Sequence, residues 1–356
     1  MDVVRDYDSD EEEQFHPCER DWKSTHPLLR DSKPLREDYA VVECIGQGSY
    51  SRVYKVRNLH TGEIQCAKNF FPQCVSAEVS PVEYRDISDH AVTEISTLQS
   101  LHHRSILPIY GVYRGRRRGS VYMVTELYET TLEELLSLKY PLSLEATKCI
   151  LYELLDVLES VHAQGLLHSD LKPGNVLYRG GGIAVCDWGS ATRVGQKGTV
   201  PTLGYCSPEM VLWRETVSET VSKTVWSTGV DVWSWGVMVV ELLSGRFLHE
   251  GESELAAVNQ MVRLAGTMGL NKEEREWFDG LCSHNHIHFP DMEDSIAALV
   301  RERIPETDSR EEVETMLRGC FQLVPWRRMS AKELKASGWW EGREEVEVRR
   351  RGESEA

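Results

Sequence analysis

His168-Ser169-Asp170-Leu171-Lys172-Pro173-Gly174-Asn175, followed after a short strand pair by Asp187-Trp188-Gly189, gathers two carboxylates, an ammonium and an amide at a spacing that serves one chemistry. Phosphoryl transfer asks a protein for a phosphate-cradling backbone, a cation on the phosphates, magnesium ligands and a carboxylate that orients the attacking hydroxyl. Asp170 is the residue to accept the hydroxyl proton, and Lys172 the one to neutralise charge developing on the transferred group. Asn175 and Asp187 supply hard oxygens for Mg2+.

Upstream, the missing parts appear in the order this chemistry requires. Gly46-Gln47-Gly48-Ser49-Tyr50-Ser51-Arg52-Val53 sits between two strand patterns, where absent side chains let backbone N–H groups approach phosphates. Taken alone it is an ordinary glycine hairpin. Lys68, in Cys66-Ala67-Lys68, falls on the third strand pattern, and Glu94 on the helical pattern after it. The two are placed to pair and hold the ammonium on the phosphates.

Farther out, periodicity gives the architecture. Tyr39 to Phe70 alternates through three short runs of Val, Ile, Tyr and Cys, with turns at Gly46 to Gly48 and at Thr61-Gly62. Ala91, Val92, Ile95 and Leu98 mark a helix over Asp89 to Leu101, and strands follow at Leu107 to Val112 and Val121 to Leu127. Ser143 to His162 then reads as a long helix with a broad apolar face, closed by Gly165, and most of the remainder is helical. The expected class is α+β: a small β-rich lobe (39–127) with one helix and a large helical lobe (128–340), with ligand in the cleft between them. Residues 1–38 form an acidic arm, with seven acidic residues against one arginine between Asp2 and Glu13, and 341–356 a charged tail.

Composition excludes several alternatives. The net charge of −17 over 356 residues opposes unaided binding to nucleic acid and favours basic partners or substrates. Nine scattered cysteines with no C-x-x-C pair suggest neither a zinc site nor a disulfide framework, which places the chain in the reducing cytoplasm or nucleus. The N-terminus lacks a signal-peptide core, and the apolar stretch Val232 to Val240 is too short to span a bilayer, so no membrane role is expected.

Residues from about Tyr39 to Trp340 resemble the eukaryotic protein kinases. Ser207-Pro208-Glu209 stands where that family has Ala-Pro-Glu, Asp231 opens Asp231-Val232-Trp233-Ser234-Trp235-Gly236, and Arg328 is the family's partner for Glu209. The resemblance implies a two-lobed protein kinase fold using ATP and Mg2+, with adenine against Ile45, Val53, Ala67, Leu177 and the backbone of Glu126 and Leu127, and Thr125 at the back of the pocket. Lys172 after the catalytic Asp170, with Thr202 ahead of Ser207, is similar to the Ser/Thr branch, whose substrates are proteins.

Within the family, Thr202-Leu203-Gly204-Tyr205, Trp226-Ser227-Thr228-Gly229-Val230-Asp231 and Leu264-Ala265-Gly266-Thr267 resemble the cyclin-dependent-kinase-like (CMGC) group. Ala91-Val92-Thr93-Glu94 sits where those kinases contact a cyclin, so a cyclin-like regulatory subunit is an expected partner, and Ser49 and Tyr50 occupy the group's inhibitory phosphorylation pair. The chain departs from the group at the arginines that hold its activation-segment phosphate: Thr93, Ser169 and Thr192 stand at those positions, and Lys197 replaces the phosphorylated residue. Cys206 replaces the arginine associated with Pro-directed specificity. The reading at this point is a Ser/Thr kinase whose activity does not need activation-segment phosphate. Its alternative is a pseudokinase or scaffold, supported by Ser51, Ser169 and Trp188 and opposed by the intact Lys68, Glu94, Asp170, Asn175 and Asp187.

Overall fold

The computed structural model describes residues 26–48, 50–71, 87–115, 119–138, 142–198, 202–212, 226–248, 253–306 and 309–340. Most of the acidic arm, Ser49, residues 72–86 and 116–118, Thr199 and the charged tail lie outside the described residues. Two compact units form: one from residues up to His102, Ile106–Tyr128 and Asp187–Gly189, the other from His103–Ser105, Glu129–Cys186 and residues from Ser190 onward.

The first unit is a five-stranded antiparallel sheet in which the strands, counted along the chain, lie in the order first, second, third, fifth, fourth. Its strands are β1 (Tyr39–Gln47), β2 (Ser51–Asn58), β3 (Ile64–Phe70), β4 (Ile109–Arg114) and β5 (Val121–Thr125), with helix α1 (Asp89–Ser100) between β3 and β4. The β1–β2 turn closes through Gly48 N–H donating to Ser51 O at 2.8 Å. The β2–β3 turn uses Gly62 at φ +77°, while the Asn58 side chain accepts from the N–H groups of His60 and Thr61. Helix α1 begins one residue after Ser88, whose hydroxyl accepts the Ala91 N–H, and its buried face carries Ala91, Glu94, Ile95 and Leu98. On one face of the sheet Leu35, Tyr39, Tyr54, Val56, Ala67, Tyr122 and Val124 form a closed apolar cluster.

The second unit is mainly helical. Two short ladders position its loops: β6 (Thr130–Thr131) with β8 (Val176–Arg179) and β9 (Gly182–Val185), and β7 (Leu166–Leu167) with β10 (Thr192–Arg193). The helices are α2 (Leu132–Ser137), α3 (Leu144–Ala163), α4 (Pro208–Leu212), α5 (Gly229–Ser244), α6 (Glu254–Ala265), α7 (Lys272–His284), α8 (Ile296–Arg303), α9 (Arg310–Cys320) and α10 (Ala331–Lys335). Helix α5 is buried from Gly229 to Leu242, mostly by apolar side chains with Asp231, Ser234 and Glu241 among them, as expected of a helix at the centre of a core. Gly236 is required there, because a Cβ would stand 2.8 Å from Cys320 Cβ. No helix among the described residues is long and apolar enough to cross a membrane.

Candidate active site

In the first unit, β3 and α1 bring together the two residues the sequence separates by a long insertion. Lys68 Nζ donates to Glu94 Oε1 and Oε2, both at 2.8 Å, and to Asp187 Oδ1 at 2.9 Å. Burial works against the Lys68 ammonium, but the carboxylates of Glu94 and Asp187 outweigh it and hold the pKa above that of an ordinary lysine. Burial pushes Glu94 up to about 7, with Lys68 pulling down and Asp187 pushing up. One ammonium faces two carboxylates, so the group carries surplus negative charge. Asp187 is a third exposed and sits at φ +59°, in the left-handed region, so its carboxylate remains reachable by a hard cation.

Strand parity corrects one expected nucleotide contact. Across the sheet Tyr54, Ala67 and Val124 form one row, and Val53, Lys68 and Met123 the next, so Ala67 and Lys68 point to opposite faces. Ala67 is fully buried in the apolar cluster and does not share the Lys68 face. Cys66, two residues before Lys68 and opposite Thr125, does share it. Burial pushes the Cys66 thiol up to about 11, with Thr125 and Lys68 opposing the shift, so this thiol is a packing group and not a nucleophile. Gly46 lies beside Val53, where a Cβ would meet the valine at 3.7 Å, and Thr125 is 2% exposed. Ile45 remains 46% exposed at the end of β1, Glu126 and Leu127 are half-buried after β5, and Gln47 accepts from Arg52 Nε at 3.2 Å. Tyr50 stacks on His90, a residue the sequence reading passed over.

In the second unit the loop from His168 to Asn175 is bound around Asp170. Lys172 Nζ donates to Asp170 Oδ2 at 2.8 Å and to Thr202 Oγ1 at 2.6 Å. Thr202 N–H donates to Asp170 Oδ1 at 3.3 Å, and Asn175 Nδ2 donates to both the backbone oxygen and Oδ2 of Asp170. The amide nitrogen of Asn175 is thereby committed to Asp170, which leaves its oxygen as the ligand for a hard cation. Asn175 and Asp187 each present, within its own unit, a hard oxygen of the kind Mg2+ takes. Leu177 lies on β8, paired with Thr131.

Asp231 holds this loop in shape. Its carboxylate accepts the backbone N–H groups of His168 at 2.9 Å and Ser169 at 2.8 Å, together with His162 Nε2 at 2.9 Å. Burial opposes the charge, yet His162 and the loop N–H groups hold the Asp231 pKa below the usual carboxylate range. Ser169 sits at φ +67°, a backbone state that costs a non-glycine residue energy and that the two N–H bonds to Asp231 sustain. Arg328 and Glu209 form a buried bidentate pair at 2.6 and 2.7 Å, with Arg328 also donating to Gly229 O and lying over the Trp233 ring.

The three residues at the expected arginine positions take up separate local environments. Thr93 Oγ1 donates to Asp89 O at 2.9 Å within α1, and Thr192 pairs with Leu167 in the β7–β10 ladder. The buried Ser169 hydroxyl has no hydrogen-bond partner among the described residues. Cys206 is buried with its thiol donating to Thr202 O at 3.2 Å.

A family model described as the protein kinase domain matches residues 39–340. Cyclin-dependent kinase-like 4 of Mus musculus is 28% identical over 324 residues, covering 90% of this chain and 88% of that protein. Its Homo sapiens counterpart is 27% identical over 322 residues, covering 90% and 79%. Cyclin-dependent kinase G-2 of Oryza sativa subsp. indica is 30% identical over 233 residues, covering 65% of this chain and 31% of that protein.

Proposed function

Since the chain belongs to the protein kinase family, we propose that it is an active serine/threonine kinase of the cyclin-dependent-kinase-like group, moving the γ-phosphoryl of ATP to protein hydroxyls. The observation that carries this reading is the Asp170 cluster. A carboxylate that takes Lys172 and the Thr202 N–H, with Asn175 bonded to its back, is held in a single orientation, as a residue that must align and accept from a substrate hydroxyl requires. Mg2+ bound at Asn175 and Asp187 would neutralise phosphate charge during transfer. Lys68, held by Glu94, orients the phosphates, and Lys172, bridging Asp170 and Thr202, meets charge developing on the transferred group.

Five ionisable or amide groups maintained in bonded geometry serve no purpose in a scaffold that never turns over, which favours activity over the pseudokinase reading. Thr93, bonded within its own helix, Thr192, on a short strand, and the buried Ser169 offer no guanidinium to a phosphate, which supports activity without activation-segment phosphate. Basic protein substrates suit the charge of −17, and Glu133 adds to it: it is exposed, with Oε2 2.9 Å from the point a Cβ on Gly174 would occupy. A cyclin-like subunit is the proposed regulatory partner, and cytoplasm or nucleus the proposed location. The test is transfer of labelled phosphate from Mg·ATP to basic, acidic and Pro-directed peptides with phosphoamino-acid analysis, with and without phosphatase pretreatment. Phosphoserine or phosphothreonine that survives pretreatment is expected. Phosphotyrosine alone, or no transfer with a cyclin present or absent, contradicts the proposal.

A further inference from the structure

We infer that His90 is a positioning residue for the Lys68–Glu94 pair, its ring clasping the glycine turn, helix α1 and Gly189 together. His90 lies on the first turn of α1, one helical turn before Glu94, and its Nδ1 is 3.9 Å from Glu94 Oε2. Its ring stacks on Tyr50 with centroids 4.9 Å apart and planes 17° from parallel, and it lies 6.3 Å from the Phe70 ring. Phe70 is also the ring over which the Lys68 ammonium sits, at 5.2 Å. On its other side His90 fills the space left by Gly189: a Cβ there would stand 2.1 Å from His90 Cε1 and 2.2 Å from Nε2.

The consequences follow from geometry. Tyr50 is 64% exposed, so a stacked partner is what fixes its ring against α1. The turn that carries Gly48 and Tyr50 is thereby tied to the helix that carries Glu94. The helix is tied in turn to the residue two beyond Asp187. A single imidazole thus sets the spacing among the three elements that the phosphates of a nucleotide must meet. His90, Glu94 and Asp187 offer donor atoms within 4.8 Å of one another, as a metal centre would. The Lys68 ammonium, however, already bonds both carboxylates and repels a cation held by all three. The cluster is therefore the polar side of a clasp.

The inference rests on the nucleotide-binding part of the proposed function and not on turnover, so its test reads binding. The dissociation constant of Mg·ATP is measured by calorimetry on the full chain as wild type, Tyr50→Ala, His90→Ala, the double variant and His90→Phe, each checked for a wild-type melting transition. Loss of an aromatic pair corresponds to about fivefold weaker binding in each single variant. The double variant is expected to be no weaker than His90→Ala, and His90→Phe, which restores a ring of similar size, to bind within about twofold of wild type. Additive losses, wild-type affinity in His90→Ala, or a His90→Phe as weak as His90→Ala overturn the inference alone. A wild-type chain that binds no Mg·ATP overturns the nucleotide reading and this inference with it.

Discussion

Glu241 makes the fold's stability depend on pH in a direction that can be worked out. The residue is 2% exposed near the end of α5, where Oε2 accepts the Tyr205 hydroxyl at 2.8 Å and Oε1 accepts the Leu248 N–H at 2.9 Å. Burial pushes its carboxyl up to about 7 from the ordinary 4.5, with the two donated hydrogen bonds pulling down. A folded-state value above the unfolded one means that the folded protein keeps a proton the unfolded chain has released. This contribution is complete below about pH 4.5, declines as pH rises, and is gone above about pH 7. A difference of about 2.5 pH units corresponds to an upper bound of ~3 kcal/mol. Glu241→Gln abolishes the titration while keeping a carbonyl for Leu248 N–H. Urea unfolding of both proteins between pH 5 and 8.5 is expected to show the variant gaining on wild type by as much as ~3 kcal/mol as pH rises. Parallel stability curves, or a variant that loses ground with pH, refute the reasoning. The site bears on function because Tyr205 anchors the segment that carries Thr202, through Glu241 and through Ser234, whose hydroxyl donates to Tyr205 O at 2.8 Å.

Two further perturbations probe the frame around the loop. Asp231→Asn leaves one acceptor oxygen for three donors, so Ser169 is expected to relax from its left-handed backbone and kcat to fall at least tenfold with KM for ATP little changed; an unchanged kcat contradicts the role given to Asp231. Arg328→Met strands the Glu209 carboxylate, 1% exposed, and is expected to cost about 3–5 kcal/mol in unfolding experiments, whereas a loss below about 1 kcal/mol shows the pair to be dispensable.

The residues legible in the sequence were those whose chemistry fixes both type and spacing. Lys68 and Glu94 in one unit, and Asp170, Lys172 and Asn175 in the other, were singled out by residue type and spacing and are found bonded to one another within each unit. The helices over Asp89 to Leu101 and Ser143 to His162 were equally plain from their apolar periodicity, and both are found, with the hydroxyls of Ser88 and Ser143 as their caps. Ala67 was misplaced for want of one further step: side chains alternate along a strand, so the residue sharing the face of Lys68 is two positions away, at Cys66. His90 gave a weaker signal. Its place one turn before Glu94 was visible, but Tyr50 and Gly189 reach it only through tertiary packing. Likewise Asp231 was recognisable as a helix-opening residue, while its bonds to His168 and Ser169 span a distance along the chain that no local pattern encodes.

Single-turnover phosphate transfer by wild type and Asp170→Ala, with Mg·ATP affinity measured in parallel, tests the central claim most directly. The account predicts that both proteins bind Mg·ATP alike and that transfer to a serine or threonine peptide falls by at least about a hundredfold in the variant, the scale of a lost general base. Equal transfer by the two proteins, or binding of Mg·ATP by wild type without any transfer, would contradict it.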